Sequence, residues 1–166
     1  MTPARLVSTF LGAGLLRPGP GTWGSAAAVP LAWLLHVAGG FPLLFAATCL
    51  VFGLGWWATA VHTADLGVSD PSEIVIDEVA GQWIALWPLS AGLWHAGVDR
   101  WIFPYPGWIG AFLLFRLFDI WKPWPVSWAD NRHTPLGVML DDVIAGLMAA
   151  VVVSVAAAIS HGLLMR

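Results

Sequence analysis

"VIAGLMAAVVVSVAAAISHGLLM", residues 143–165, is a run of 23 residues that contains no charged side chain. A helix needs about 20 apolar residues to cross the hydrocarbon core of a bilayer, so this run alone is long enough to span a membrane. Three further runs, 18–64, 79–98 and 101–115, also lack charged side chains. The sequence therefore predicts an all-α membrane helical bundle. The alternative is a buried helical bundle within a soluble complex.

The composition supports the same prediction. Of the 166 residues, 58% are hydrophobic and 10% are charged, and the mean hydropathy is +0.77. An ordinary soluble domain is about half apolar and about a quarter charged. The length suggests one domain, 1–166, and the single cysteine, Cys49, excludes a disulfide framework within the chain. No nucleic-acid partner is expected, and the oligomeric state is left open.

Turn signals divide the apolar sequence into about five segments that span the membrane or partly re-enter it. The segments are 25–38, 42–62, 79–98, 101–118 and 143–165. The first and fourth are short, so they are the candidates for re-entrant segments. Five crossings would place the N-terminus and the polar segments 62–78 and 116–142 on one side of the membrane.

Positive charge is distributed unequally between the two predicted sides. The first side carries five of the seven cations, Arg5, Arg17, Arg116, Lys122 and Arg132, and the other side carries only Arg100 and Arg166. Because cytoplasmic loops carry an excess of Lys and Arg, the first side is predicted to be cytoplasmic. The same side holds nine of the ten acidic residues, so nearly all chemically capable side chains are expected at one membrane face.

Two acidic pairs precede charge-free runs: "IDEVAG" at 76–81 and "LDDVIAG" at 140–146. One interpretation is that each pair caps a helix, where the helix dipole stabilises each charge by about 0.3–1 kcal/mol. Four carboxylates converging on one face would repel each other, however, unless a cation neutralised them. Hard oxygen ligands favour Mg²⁺, Ca²⁺ or Mn²⁺. The candidate metal ligands are therefore Asp77, Glu78, Asp141 and Asp142.

The stretch "FRLFDIWKPWP", residues 115–125, contains Arg116, Asp119 and the only lysine, Lys122. Their spacing of three residues puts them on one helix face, and Pro123 should end that helix. They could simply snorkel to the membrane surface. Alternatively, the two cations bind an anion and Asp119 orients a cation or a water molecule, which with a metal is what phosphoryl transfer needs. The candidate catalytic residues are these three and Asp77.

The segment "RPGPGTWGS", residues 17–25, lies on the same predicted side. Its glycines would let backbone N–H groups approach a ligand, and Thr22 and Ser25 could cap the helix that follows. A helix N-terminus there would bind an anion. Gly21, Thr22 and Ser25 are therefore candidate substrate-binding residues together with Arg116 and Lys122; a plain turn and cap is the alternative.

Four motifs of this chain occur in the same order in one known family. They are PGTWGS (20–25), DPSEIVIDEVAGQW (70–83), FRLFDIWKPWP (115–125) and LGVMLDDVIAG (136–146). Over about residues 8–150 the sequence resembles the phosphatidylglycerophosphatase A family. That family hydrolyses phosphatidylglycerophosphate to phosphatidylglycerol, with magnesium, at the bacterial inner membrane.

The resemblance implies a multi-pass, magnesium-dependent lipid phosphatase with a phospholipid substrate and a cytoplasmic active site. The family's acidic motifs fall on Asp77, Glu78, Asp141 and Asp142, and its Arg/Asp/Lys motif falls on Arg116, Asp119 and Lys122. One departure is Thr134-Pro135 in place of a glycine pair, which could alter the loop over the site. Metal-activated water is the expected nucleophile.

Two other classes of protein remain as alternatives. One is a small cation-binding transporter, whose carboxylates should lie in the middle of a span, and the other is a structural membrane subunit. If the protein is a phosphatase, the carboxylates are expected at the ends of the spans, on one side of the membrane.

Overall fold

The structure, a computed structural model, describes residues 1–68 and 71–164. Arg166, which enters the comparison of charges above, lies outside this part. Within it the chain forms six α-helices and no strand, which confirms the all-α prediction. The helices are α1 Pro3–Ser8, α2 Pro20–Leu66, α3 Ile76–His95, α4 Tyr105–Trp121, α5 Val126–Asp130 and α6 Pro135–Leu164.

Helix α2 consists of two antiparallel arms that meet at Gly40. Gly40 has φ 66° and ψ −160°, a backbone conformation outside the helical region that glycine adopts readily. Cβ atoms built on Gly24 and Gly55 would lie 2.8 Å from Val75 and 3.1 Å from Ile76, so both arms reach the start of α3. A straight helix would separate these glycines by about 46 Å. The chain therefore reverses its direction between the predicted segments 25–38 and 42–62.

Helix α3 lies at the centre of the bundle. Val79, Ala80 and Leu86 are fully buried, and the Trp83 indole donates a hydrogen bond of 2.8 Å to the Ala28 carbonyl in the first arm of α2. A Cβ on Gly146 of α6 would lie 2.4 Å from the Gly81 carbonyl oxygen. Glycine at 146 thus lets α6 pack directly against the backbone of α3, which brings the acidic segments of these two helices together.

Two helices are long and apolar enough to cross a membrane: α2, and residues Pro135–Gly162 of α6. Together with the exposed tryptophan and leucine side chains on the helix surfaces, this supports an association with a membrane. The prediction of about five spanning or re-entrant segments stays a prediction, as does the assignment of all 166 residues to one integral-membrane domain.

A polar cluster fixes the N-terminal helix to the rest of the bundle. The buried Ser8 hydroxyl and His62 Nδ1 share a hydrogen bond of 2.6 Å, and His62 Nε2 lies 3.0 Å from the Glu73 carboxylate. Arg5 also pairs with Glu73, at 3.2 Å. This cluster connects α1, the end of α2 and the segment that leads into α3, so it helps to hold Asp77 and Glu78 in place.

Candidate active site

One pocket of about 350 Å³ gathers most of the predicted site residues. It lies where α2 and α3 begin and where α4 ends. The side of α6 near its start closes it. Its lining residues are Gly19, Pro20, Gly21, Ser72, Asp77, Glu78, Arg116, Asp119, Ile120, Lys122, Asp130, His133, Val138, Asp141 and Asp142. The structure thus brings together four motifs that are widely separated in the sequence.

Three carboxylates form a compact group within this pocket. Oxygens of Asp77, Glu78 and Asp142 all lie within 4.8 Å of one another. Glu78 Oε2 and Asp142 Oδ1 are buried and have no hydrogen-bond partner within residues 1–68 and 71–164. Carboxylate charges so close together and so poorly satisfied are costly unless a cation compensates them. These three residues therefore fit a site for a divalent cation with hard oxygen ligands.

Asp141 is engaged differently from its neighbour Asp142. Its carboxylate accepts a hydrogen bond of 2.7 Å from Lys122 Nζ, which also donates to Asp130 at 2.5 Å. Burial alone would lower the pKa of the Lys122 ammonium, but the hydrogen bonds and charges of Asp130 and Asp141 outweigh burial and raise its pKa above the ordinary value. Lys122 is therefore held as a fixed cation at the wall of the pocket.

Arg116 is the second cation of the pocket. It forms an ion pair with Asp119, one turn further along α4, and its Nη1 also lies 3.5 Å from the Ser25 hydroxyl on α2. The Arg116 and Asp119 side chains are both less than 15% exposed, so solvent screens this pair little. Both side chains line the pocket rather than the outer surface of the helix.

Gly21 packs directly against the carboxylate group. A Cβ atom at this position would lie 2.1 Å from Glu78 Oε1 and 3.3 Å from Arg116 Nη1. Any side chain here would displace one or both of these groups. Glycine is thus required at 21 by the close approach of α2 to Glu78, whereas the predicted substrate-binding role of Gly21 stays a prediction.

Several sequence-based expectations about local structure are wrong. Helix α2 begins at Pro20 after Gly19 and has no side-chain cap, so Thr22 and Ser25 lie inside the helix. Thr22 is exposed and does not line the pocket. The buried Ser25 hydroxyl donates a hydrogen bond to the Gly21 carbonyl and lies 3.5 Å from Arg116 Nη1. The prediction that the helix ends before Pro123 is confirmed. Lys122, however, follows the last residue of α4 and has a left-handed backbone conformation (φ 49°), so the predicted shared helix face applies only to Arg116 and Asp119.

The two acidic pairs are also not equivalent. Asp77 and Glu78 lie in the first turn of α3, as a helix-cap interpretation would require. Asp141 and Asp142 lie about two turns into α6, which begins at Pro135. The favourable interaction with the helix dipole fades within the first turn. Capping therefore does not explain the second pair.

Sequence reasoning missed Asp130, which binds Lys122, and Ser72, which lines the pocket. Asp130 belongs to the short helix α5, and only the fold brings it back to the end of α4. His133 also lines the pocket. The signal that could have indicated Asp130 is its position between Lys122 and Asp141, in a polar segment of an otherwise apolar chain.

The family model described as phosphatidylglycerophosphatase A matches residues 6–157. The chain belongs to this family. The match covers nearly the whole chain, including every residue of the carboxylate group and both cations. Family membership confirms the predicted resemblance and the prediction of an enzyme of the phosphatase class, and it disfavours a transporter or a structural subunit.

Curated relatives agree with the family assignment. Phosphatidylglycerophosphatase A of Haemophilus influenzae is 38% identical over 154 residues, which cover 92% of this chain and 88% of the relative. Phosphatidylglycerophosphatase A of Escherichia coli is 36% identical, with 89% and 80% covered. A Bacteroides thetaiotaomicron protein named "Putative phosphatidylinositol-3-phosphatase" is 36% identical, with 91% of each chain covered. No solved structure matches the chain.

Proposed function

We propose that this protein hydrolyses phosphatidylglycerophosphate to phosphatidylglycerol and inorganic phosphate, that it requires Mg²⁺, and that its active site faces the bacterial cytoplasm. The observation that carries the proposal is a single pocket in which three carboxylates stand beside the cations Arg116 and Lys122. This arrangement suits a phosphomonoester, whose charge must be neutralised during phosphoryl transfer. The names of two relatives support the choice of head group.

The metal would be held by Asp77, Glu78 and Asp142. One oxygen of Glu78 and one of Asp142 have no partner in the part of the chain that the structure describes, which supports this choice. Asp141 is less suited to bind the metal directly, because Lys122 already occupies one of its oxygens. A bound Mg²⁺ would neutralise negative charge on the substrate and polarise the phosphoryl group.

Lys122 and Arg116 would bind the phosphoryl oxygens. An ammonium group has three N–H donors, and Asp130 and Asp141 take two of them, so one remains for the substrate. Among the described residues, the hydrogen bonds of Arg116 all use Nη1, which leaves further donors of the guanidinium. Because their acidic partners fix both cations in advance, they can stabilise the transition state without reorganising.

Asp119 has a positioning role in this proposal. Its carboxylate binds the Arg116 guanidinium and lines the same pocket as the metal ligands. It can therefore hold Arg116 in the orientation needed for the phosphate and accept a hydrogen bond from a water molecule. Asp77 would contribute to catalysis as one of the ligands that hold the metal.

We further propose that the two arms of α2, together with α3, α4 and α6, form five membrane segments. The reversal at Gly40 supports two segments within α2. The excess of Lys and Arg on the side of the pocket supports a cytoplasmic site. Reporter tags at residue 2 and within 130–135 should then be cytoplasmic, and a tag after Arg166 should be periplasmic. A cytoplasmic C-terminal tag would contradict five crossings.

The head group can be tested with purified protein in detergent. Phosphatidylglycerophosphate, phosphatidylinositol 3-phosphate and phosphatidic acid should be offered in parallel, and both phosphate and the dephosphorylated lipid should be measured. The proposal expects the highest kcat/KM for phosphatidylglycerophosphate and loss of all three activities in Glu78→Gln. A clear preference for phosphatidylinositol 3-phosphate would refute the proposed substrate and retain the phosphatase.

A further inference from the structure

The first arm of α2 and helix α4 run side by side away from the candidate active site. Near the site, Ser25 of α2 contacts Arg116 of α4 at 3.5 Å. One turn further from the site, Val29 and Phe112 both line a second cavity, of about 540 Å³. Four helical residues rise about 6 Å, so this cavity begins about one turn away from the phosphate-binding cations.

All eight residues that line this cavity have hydrophobic side chains, and five of them are aromatic. The lining residues are Ala26, Val29, Pro30, Trp33, Trp101, Phe103, Trp108 and Phe112. Three of them, Ala26, Pro30 and Trp101, are exposed, so the cavity opens onto the outer surface of the bundle. At its far end the Trp33 indole donates a hydrogen bond of 3.3 Å to the Trp101 carbonyl, and the two rings pack edge to face at 5.7 Å.

We infer that this cavity, which we call the α2–α4 groove, binds an acyl chain of the lipid whose phosphate occupies the active site. The inference rests on the proposed function. Both features lie along the same pair of helices, the polar site at one end and the groove directly beyond it. A lipid phosphomonoester has the same order of parts: a charged head group followed by an apolar chain. The opening onto the outer surface would let the chain enter sideways from the bilayer.

A second apolar cavity, of about 580 Å³, fits this role less well. It lies between α3, α4 and α6 and reaches α3 only from Pro88 onward. Pro88 is ten residues, or about 15 Å along the helix, from Glu78. It also extends to His161, near the other end of α6. On α4 this second cavity reaches Leu114, but residues two apart on a helix point about 200° apart, so Leu114 lies on the side of α4 away from Arg116. Phe112 of the α2–α4 groove is four residues from Arg116 and lies on the same side of α4, so a chain attached to a bound head group reaches this groove directly.

The first test fills the groove and compares two substrates. Val29→Phe adds a ring inside the groove, and Val151→Phe makes the same change at an exposed position on α6 that is 63% exposed. Val29→Phe should lower kcat/KM for long-chain phosphatidylglycerophosphate by about tenfold or more, mainly through KM. It should leave the rate on the deacylated compound, glycerophosphoglycerophosphate, unchanged. Val151→Phe should match wild type on both substrates.

Two results of this test would overturn the inference. One is equal loss on both substrates in Val29→Phe, which would show damage to the site rather than to chain binding. The other is wild-type kcat/KM on the long-chain lipid in that variant, which would show that the groove is not used.

The second test uses the wild-type protein, so it does not depend on a variant that folds. Phosphatidylglycerophosphate with a photoreactive diazirine near the end of an acyl chain should label peptides within 26–33 and 101–112. Unlabelled lipid should compete with this labelling. Equal labelling of the exposed face of α6 around Val151 and Val155 would overturn the inference. Absence of phosphate release by wild type would refute the proposed function separately, and the labelling pattern would still decide whether the groove binds lipid.

Discussion

Replacing Gly21 with alanine tests how closely α2 approaches the carboxylate group. The added Cβ would lie 2.1 Å from Glu78 Oε1, so this oxygen would have to move by roughly 1 Å to reach van der Waals contact. A displacement of that size at a reacting centre costs about 10²-fold in rate. Gly21→Ala should therefore lower kcat/KM for phosphate release by about two orders of magnitude and raise the Mg²⁺ concentration needed for half-maximal activity.

The fold should tolerate the same substitution, because the clash falls on the end of a flexible side chain. Gly53→Ala is the matched control: it also lies in α2, and its Cβ would meet nothing within 4 Å. Alanine within an exposed helix stabilises it by about 0.5–1 kcal/mol relative to glycine, so this control should keep full activity and should melt at the same or a slightly higher temperature. Wild-type kinetics in Gly21→Ala would refute the placement of Glu78 against α2.

Three further predictions follow from the contacts of single side chains. Asp142→Asn should weaken Mn²⁺ binding, measured by electron paramagnetic resonance, more than Asp141→Asn does; equal effects would contradict the separate roles of this pair. Lys122→Gln should lower kcat/KM by about 10²-fold or more. The kcat/KM of Lys122→Arg should stay close to that of Lys122→Gln, because a planar guanidinium places its charge differently from an ammonium; a fully active arginine variant would favour snorkelling. His62→Ala should destabilise the protein by about 1–3 kcal/mol, measured by unfolding in detergent, because the hydrogen bond between His62 and the buried Ser8 and the contact between His62 and Glu73 are both lost; unchanged stability would contradict the role of that cluster.

The apolar character of the helices and the convergence of most candidate site residues on one pocket agree with the prediction, because both depend on local sequence patterns. Long charge-free runs indicate which segments are apolar enough to enter a bilayer. In so apolar a chain, acidic pairs such as Asp77–Glu78 stand out as groups that need compensation. The order of the motifs then indicated the family, which the family model confirmed.

The pairing of individual charges could not be predicted, because it depends on the packing of the helices. From the sequence, Asp141 and Asp142 are equivalent neighbours. Successive residues on a helix point in directions about 100° apart, so one reaches Lys122 and the other joins Asp77 and Glu78.

The prediction that Thr22 and Ser25 cap the first helix of the apolar sequence is also wrong, and the reason is local. Pro20 fits the first position of a helix, where its missing N–H is not needed, so the helix begins before Thr22 and Ser25. The hydroxyl of Ser25 then turns back to the Gly21 carbonyl rather than capping the helix.

The most direct test of the proposed function is phosphate release from phosphatidylglycerophosphate by the purified protein in detergent, before and after treatment with EDTA. A site in which Asp77, Glu78 and Asp142 hold a metal predicts release with Mg²⁺ present, loss of release with EDTA, and recovery when Mg²⁺ is added back. Release that continues unchanged in EDTA would contradict the metal site, and no release under any of these conditions would contradict the proposed reaction.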